Sequence, residues 1–243
     1  MKKALQIGGV VAGVVLIAFG IAAIVLGANG GSTVNSNLKQ EYIFGSPDMT
    51  PTAIAPEVKA IQVSQQKIAA AQKQAKVPPS QQFTFTEVSA PSCSVAGDQV
   101  TDGSSARCFA QYMRIHALGS SSGLTYSQMG RFQANSDAPV QFTDFNTPAG
   151  TNDPKYAVVD TKTGQPAANG VRNVWVTETA LTSALNLAYA AGQISVFGIV
   201  VGIALLLSGI GFLILALSGA IQRVPLKREK PATEPFVPAT GTR

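Results

Sequence analysis

Two long stretches without charged residues constrain the fold of this chain most. Residues 4–27 are uncharged, and charge is also absent from Thr179 to Gln222. A helix over 4–27 would be about 36 Å long, which exceeds the roughly 30 Å hydrocarbon core of a bilayer. A cleaved signal peptide usually has an apolar region of only about 7–15 residues, and no convincing A-x-A cleavage site follows here. The sequence therefore predicts two transmembrane helices, at 4–27 and at 194–219.

The distribution of charge predicts how these helices are oriented. The 243 residues include 18 Lys+Arg and 13 Asp+Glu, giving a formal charge of +5. The whole excess lies at the two chain ends, on the outer flanks of the spans, whereas 29–193 carries no net charge. The positive-inside rule then places both termini in the cytoplasm, and a basic excess confined to the ends argues against nucleic-acid binding. We predict cytoplasmic ends at 1–3 and 220–243 (a Pro-rich basic tail), and an extracytoplasmic segment at 28–193, in the plasma membrane.

Small residues recur at the same spacing in both predicted spans. Because they let helix backbones approach closely in lipid, the repeat predicts an antiparallel helix pair or a homo-oligomer. The alternative explanation is that Gly is simply common in membrane helices. The residues are Gly9, Gly13, Gly20 and Gly27 in the first span, and Gly198, Gly202, Gly209 and Ala216 in the second.

The segment between the spans predicts an α+β domain. A flexible linker at 28–36 precedes a helix over 52–76, on which apolar residues recur every seven positions. This stripe either packs on its own domain or forms a surface for a partner. A second helix is predicted over 107–118, capped by Gly119. The stripe comprises Ile54, Ile61, Ile68 and Ala75.

Alternating and β-branched residues predict strands around these helices. The second span is expected to extend outward as a stalk helix that Thr177 caps, with Leu181, Leu185 and Ala188 on its apolar face. A break at Gly192 remains open, because Gly costs a helix roughly 1 kcal/mol relative to Ala. A short helix is also expected over 126–132. The predicted strands are 82–88, 139–145, 155–160 and 171–176.

The two cysteines, Cys93 and Cys108, are predicted to form a structural disulfide. The topology places them in an oxidising compartment, where a disulfide is the expected state. Catalytic dithiols are more often C-x-x-C pairs, and this pair is separated by 14 residues.

The sequence predicts no catalytic, cofactor or metal site. There is a single histidine, His116, whereas metal sites generally need several converging His, Cys or carboxylate ligands. No glycine-rich loop follows a predicted strand. His116, Tyr126 and Trp175 are the candidates for a ligand or partner surface, although Trp175 is equally suited to the core or to the membrane interface.

Four stretches carry a resemblance to other proteins: 48–51 (DMTP), 116–126 (HALGSSSGLTY), 172–186 (RNVWVTETALTSALN) and 197–212 (FGIVVGIALLLSGIGF). They are similar to stretches of an uncharacterised family of actinobacterial membrane proteins with two spans around an extracytoplasmic segment. The resemblance implies a location and a topology, but no activity. Some similar proteins are labelled aromatic ring-opening dioxygenase. One histidine argues against that label, because non-haem iron oxygenases use two His and one carboxylate.

These observations favour a non-enzymatic accessory or interaction protein of the bacterial envelope. It would contact the bilayer and either a membrane-protein partner or further copies of itself. A ligand-binding or sensing module is the first alternative. An envelope enzyme that works through carboxylates is the second.

Overall fold

The computed structural model describes residues 2–85, 87–138 and 149–218, and the predicted tail at 220–243 lies outside them. The chain divides into two compact units, one with the residues up to Ile24 and from Val200 onwards, the other Val25–Ile199. The helices are α1 (Lys2–Gln40), α2 (Pro51–Gln74), α3 (Gly103–Ser120) and α4 (Gly170–Leu217), with short 3-10 turns at Pro79–Gln81, Tyr126–Gln128 and Pro154–Tyr156.

Helices α1 and α4 are both long and apolar enough to cross a membrane. Many of their large apolar side chains are exposed, among them Phe19 at 65% and Phe197 at 68%. Within 4–27 and 194–217 the buried positions are small residues (Gly, Ser and Ala) instead. Two membrane-compatible helices are thus present, as the uncharged stretches predict.

In the first unit, glycines mark the closest contacts between the two helices. A Cβ added at Gly13 would lie 2.9 Å from the carbonyl oxygen of Gly209. A Cβ at Gly20 would lie 2.7 Å from the carbonyl oxygen of Gly202 and 2.8 Å from the amide nitrogen of Leu206. Any side chain at these positions would therefore force the backbones apart. Gly9 and Gly198 are half-buried, and Ala216 is buried.

The linker predicted at 28–36 is wrong, because α1 continues without a break to Gln40. In the second unit, Gly27 and Gly30 lie against Ser195: a Cβ at Gly27 would be 2.6 Å from its carbonyl oxygen. Further along, Leu38 is buried in the hydrophobic core of this unit. The glycines therefore provide close contact rather than flexibility.

Helix α2 packs its apolar stripe onto its own unit. Ile54, Ile61 and Ile68 are all almost fully buried in the hydrophobic core, which α3 shares. Ala75 is exposed instead, and the helix ends at Gln74. Of the two interpretations of this stripe, the structure supports the one in which it packs on its own domain.

Extended structure is sparse, and the predicted strands are not formed in the described residues. Pairing there is limited to isolated bridges, such as Phe44 with Gln99 and Ala134 with Ala157. The described part of 82–88 has no strand or bridge, and 155–160 begins with a 3-10 turn. The prediction for 139–145 lies outside the described residues. The second unit is therefore mainly helical, with little strand.

Helix α4 begins at Gly170, so the strand predicted at 171–176 and the cap at Thr177 are both wrong. The side-chain oxygen of Asn169 accepts hydrogen bonds from the amides of Val171 and Arg172, at 3.2 and 3.3 Å, and so caps the helix. Burial of Trp175 and Leu185 on one face then outweighs the strand propensity of the local β-branched residues. The helix continues unbroken through Gly192.

Cys93 and Cys108 form the predicted disulfide. Beside it, the buried Tyr112 donates a hydrogen bond of 2.6 Å from its hydroxyl to the carbonyl oxygen of Cys93, and burial raises the pKa of this hydroxyl. Helix α3 begins earlier than expected, at Gly103, because Asp102 and Ser105 form a capping box. It also passes Gly119 and ends at Ser120, so Gly119 is not its cap.

We expect Gly20→Ala to destabilise the folded protein, because the added methyl meets the backbone of α4. Overpacking of this kind costs about 1–3 kcal/mol. Gly8→Ala is the matched control, since nothing lies within 4 Å of a Cβ at Gly8. Thermal unfolding of the full chain in detergent should show a lower midpoint for Gly20→Ala alone. Equal midpoints for the two variants would contradict close packing at Gly20.

Candidate functional site

Three side chains from three different elements meet in the second unit. Asp48 lies in the loop before α2, Glu57 in the second turn of α2, and His116 near the end of α3. One ligand atom from each residue lies within 4.8 Å of those of the other two. This cluster of Asp48, Glu57 and His116 is the candidate functional site.

Each ring nitrogen of His116 lies near a different carboxylate. Nδ1 lies 3.2 Å from Oε2 of Glu57, and Nε2 lies 3.5 Å from Oδ2 of Asp48. The side chains are 27% exposed for His116, 31% for Glu57 and 47% for Asp48. The site is thus open to water and small ions.

Backbone pairing fixes the loop that carries Asp48. The amide of Val95 donates to the carbonyl oxygen of Met49 at 3.2 Å, and the amide of Gly45 donates to that of Asp98 at 3.0 Å. Met49 is buried, and Thr50 caps α2 by accepting from the amide of Ala53 at 3.1 Å. Asp48 is therefore held between an anchored loop and the start of a helix.

Glu57 reaches His116 because α3 has no side chain at Gly119. A Cβ added there would overlap Oε1 of Glu57 and lie 3.0 Å from its Cδ. The space that Gly119 leaves is occupied by the carboxylate of Glu57.

The charges in the site favour an ionised Asp48. The hydroxyl of Ser46 donates a hydrogen bond to Oδ1 of Asp48 and, with the nearby His116, holds the pKa of this carboxyl below its ordinary value, although partial burial opposes the shift. Two carboxylates and one imidazole form a donor set that suits divalent transition metals. The same groups could also hold a protonated histidine.

The residues predicted to form a ligand or partner surface are not brought together. Trp175 is buried at 3% exposure and donates from Nε1 to Oγ of Ser121 at 3.2 Å, so it is a core residue and presents no surface. Tyr126 is 41% exposed. The guanidinium carbon of Arg172 lies over its ring, 3.8 Å from the ring centroid. His116 alone lies in the candidate site.

A separate cleft of about 270 Å³ lies between the 87–92 loop and α3. Gln111, Arg114 and Ile115 are among the residues that line it. His116, Tyr126 and Trp175 are not among its described lining residues. The cleft therefore does not unite the predicted surface residues either.

Sequence analysis identifies His116 but not Asp48 or Glu57. The DMTP stretch at 48–51 contains Asp48, yet nothing in the sequence connects it to a residue 68 positions away. Glu57 looks like an ordinary polar residue next to the apolar stripe of α2. The one local signal is Gly119, whose position inside α3 makes room for a neighbouring side chain.

No protein-family model, curated protein or solved structure matches this chain. The resemblance to two-span actinobacterial membrane proteins thus remains a prediction from the four stretches that carry it.

We expect Ser46→Ala to raise the pKa of Asp48 toward the ordinary value of about 3.9, because the variant removes the hydroxyl that stabilises the carboxylate. With a folded-state pKa below the unfolded value, Asp48 stabilises the fold above its unfolded pKa. This contribution is lost as the pH falls through the folded-state pKa. A carboxyl ¹³C NMR titration would measure the change. Ser104→Ala, at an exposed position, is the control, and an unchanged pKa in Ser46→Ala would contradict the assignment.

Proposed function

We propose that this chain is a non-enzymatic accessory or interaction protein of the bacterial plasma membrane. Helices α1 and α4 span the bilayer, both termini lie in the cytoplasm, and residues 29–193 lie outside. The resemblance to actinobacterial two-span proteins agrees with this proposal.

The observation that carries the proposal is the exposed apolar surface of α1 and α4. Leu26 and Leu217 are each 71% exposed, and large apolar side chains along both helices are similarly uncovered. Soluble monomers rarely expose contiguous apolar patches of more than a few hundred Å². A bilayer would cover this surface, and neither apolar stretch carries a charge that would oppose insertion.

The order of the glycine contacts supports an antiparallel pair of spans. Moving from Gly13 to Gly20 in α1 advances the chain by seven residues, and the contacts move back by seven, from Gly209 to Gly202. Small residues at the contact are typical of helix association in lipid. The basic residues beyond both spans support cytoplasmic termini.

An exposed aromatic pair supports the interaction function. Tyr42 is 76% exposed and Phe44 51%, and their ring centroids are 5.7 Å apart. Tyr42 has a positive φ of 54°, an uncommon conformation for a residue without glycine's freedom. Aromatic side chains are enriched where proteins bind one another. We propose that this pair contributes to the contact with a membrane-protein partner or a second copy.

Labelling of single introduced cysteines in intact cells tests the topology. A membrane-impermeant maleimide should label Asp98→Cys, which is exposed in the segment proposed to lie outside. It should label Thr242→Cys only after the cells are permeabilised. The opposite pattern would overturn the proposed orientation.

Native electrophoresis of the full chain in mild detergent tests the interaction. We expect a complex larger than the monomer, weakened in Tyr42→Asn because Asn tolerates positive φ but lacks the ring. Val159→Asn is the matched control, since Val159 is 57% exposed and lies elsewhere on the same unit. A monomer without partners in the unsubstituted protein would contradict the proposal.

A further inference from the structure

We propose that Asp48, Glu57 and His116 form a binding site for a divalent transition-metal ion with the ligand preferences of Zn²⁺. The inference concerns residues of the second unit alone. It does not depend on the membrane topology or the interaction proposed above.

The first argument is that the imidazole of His116 lies between two acceptors. A neutral imidazole carries one N–H, so it can donate to only one carboxylate. If Nδ1 donates to Glu57 at 3.2 Å, Nε2 keeps its lone pair and lies 3.5 Å from Oδ2 of Asp48. Two acceptors this close together repel unless a cation lies between them. Either a second proton or a metal ion meets this requirement.

The second argument is that the arrangement matches a common way of holding metal-bound histidine. Such a histidine usually donates its other ring N–H to a carboxylate, which fixes the ring and the tautomer. Glu57 is in position to accept from Nδ1, which leaves Nε2 and Asp48 to bind the ion directly. Glu57 could itself become a ligand after turning away from Nδ1, since one ligand atom of each residue lies within 4.8 Å of those of the other two.

The distances fit one ion after a small adjustment. Ligand bonds of about 2.1 Å in a tetrahedral zinc site place neighbouring ligand atoms roughly 3.4 Å apart. The separation of Nε2 and Oδ2 is 3.5 Å. Asp48 and Glu57 are both partly exposed, so they can move closer and water can complete the coordination. An imidazole among the ligands favours Zn²⁺ over Mg²⁺ or Ca²⁺, which prefer oxygen.

The third argument comes from Gly119, which lies beside Glu57. Its missing side chain leaves the space into which the Glu57 carboxylate fits, and a methyl group would overlap Oε1. Gly119 therefore leaves room for the carboxylate beside His116, and a methyl group at this position would make the Glu57 side chain shift.

Zn²⁺ titration of the full chain in detergent tests the proposal, with a purification tag that contains no histidine. The chain has one histidine, so ¹⁵N-histidine labelling yields the signals of His116 alone. We expect one Zn²⁺ to bind per chain and to shift the Nε2 signal. The same amount of Mg²⁺ should leave the signal in place.

The variants separate ligands from supporting residues. We expect His116→Gln to abolish binding, Asp48→Asn to weaken it by at least about tenfold, and Glu57→Gln to weaken it by about 10–100-fold, as for other groups that orient a metal-bound histidine. Gly119→Ala should weaken binding because it displaces Glu57. The control is Asp98→Asn, at an exposed carboxylate outside the cluster, which should bind as the unsubstituted protein does.

Three results would overturn the proposal. One is an Nε2 signal that responds to pH but not to Zn²⁺, which would mean that a proton alone fills the position. The second is undiminished binding in His116→Gln. The third is equal binding in Asp48→Asn and Asp98→Asn. If His116→Gln does not fold, the histidine signal of the unsubstituted protein and the Asp48 comparison still decide the question.

Discussion

Burial of one face of α2 in the core that it shares with α3 determines where the groups of the candidate site lie. One face of α2 is buried in the core, and this fixes the rotation of the helix about its axis. The buried residues are Ile54, Ile61 and Ile68. Glu57, one residue before the buried Val58, is thereby directed to the boundary between the two helices. His116 follows the buried Ile115 on α3 and reaches the same boundary. The polar cluster is thus placed by apolar packing on both sides.

The features that could be predicted from sequence are those set by composition and by regular periodicity. Two uncharged stretches of membrane length identify α1 and α4, and the seven-residue repeat of isoleucines identifies α2. The disulfide is predicted from the two cysteines and from the topology that the sequence leads us to expect. In each case the pattern itself identifies the element, although the structure was needed to show that the α2 stripe packs on its own unit.

The features that could not be predicted depend on contacts far apart in the chain. Gly30 and Gly31 have the composition of a linker, yet they are helical and lie against Ser195, far along the chain. Asn169 and Gly170 are a residue pair typical of turns, but in the structure the asparagine side chain caps α4. For the candidate site, the loop of Asp48 and helix α3 meet only through tertiary pairing, which no local spacing encodes.

The disulfide joins the two parts of the chain that hold the candidate site. Cys93 lies two residues before Val95, whose amide pairs with the loop next to Asp48, and Cys108 lies two turns before His116 on α3. The bond therefore links the segment that supports the Asp48 loop covalently to the helix that carries His116. Thiols stay reduced in the cytoplasm and oxidise outside it. With residues 29–193 outside the membrane, as proposed above, this link between the support of the Asp48 loop and helix α3 would form only after export, and a newly made chain inside the cell would lack that constraint.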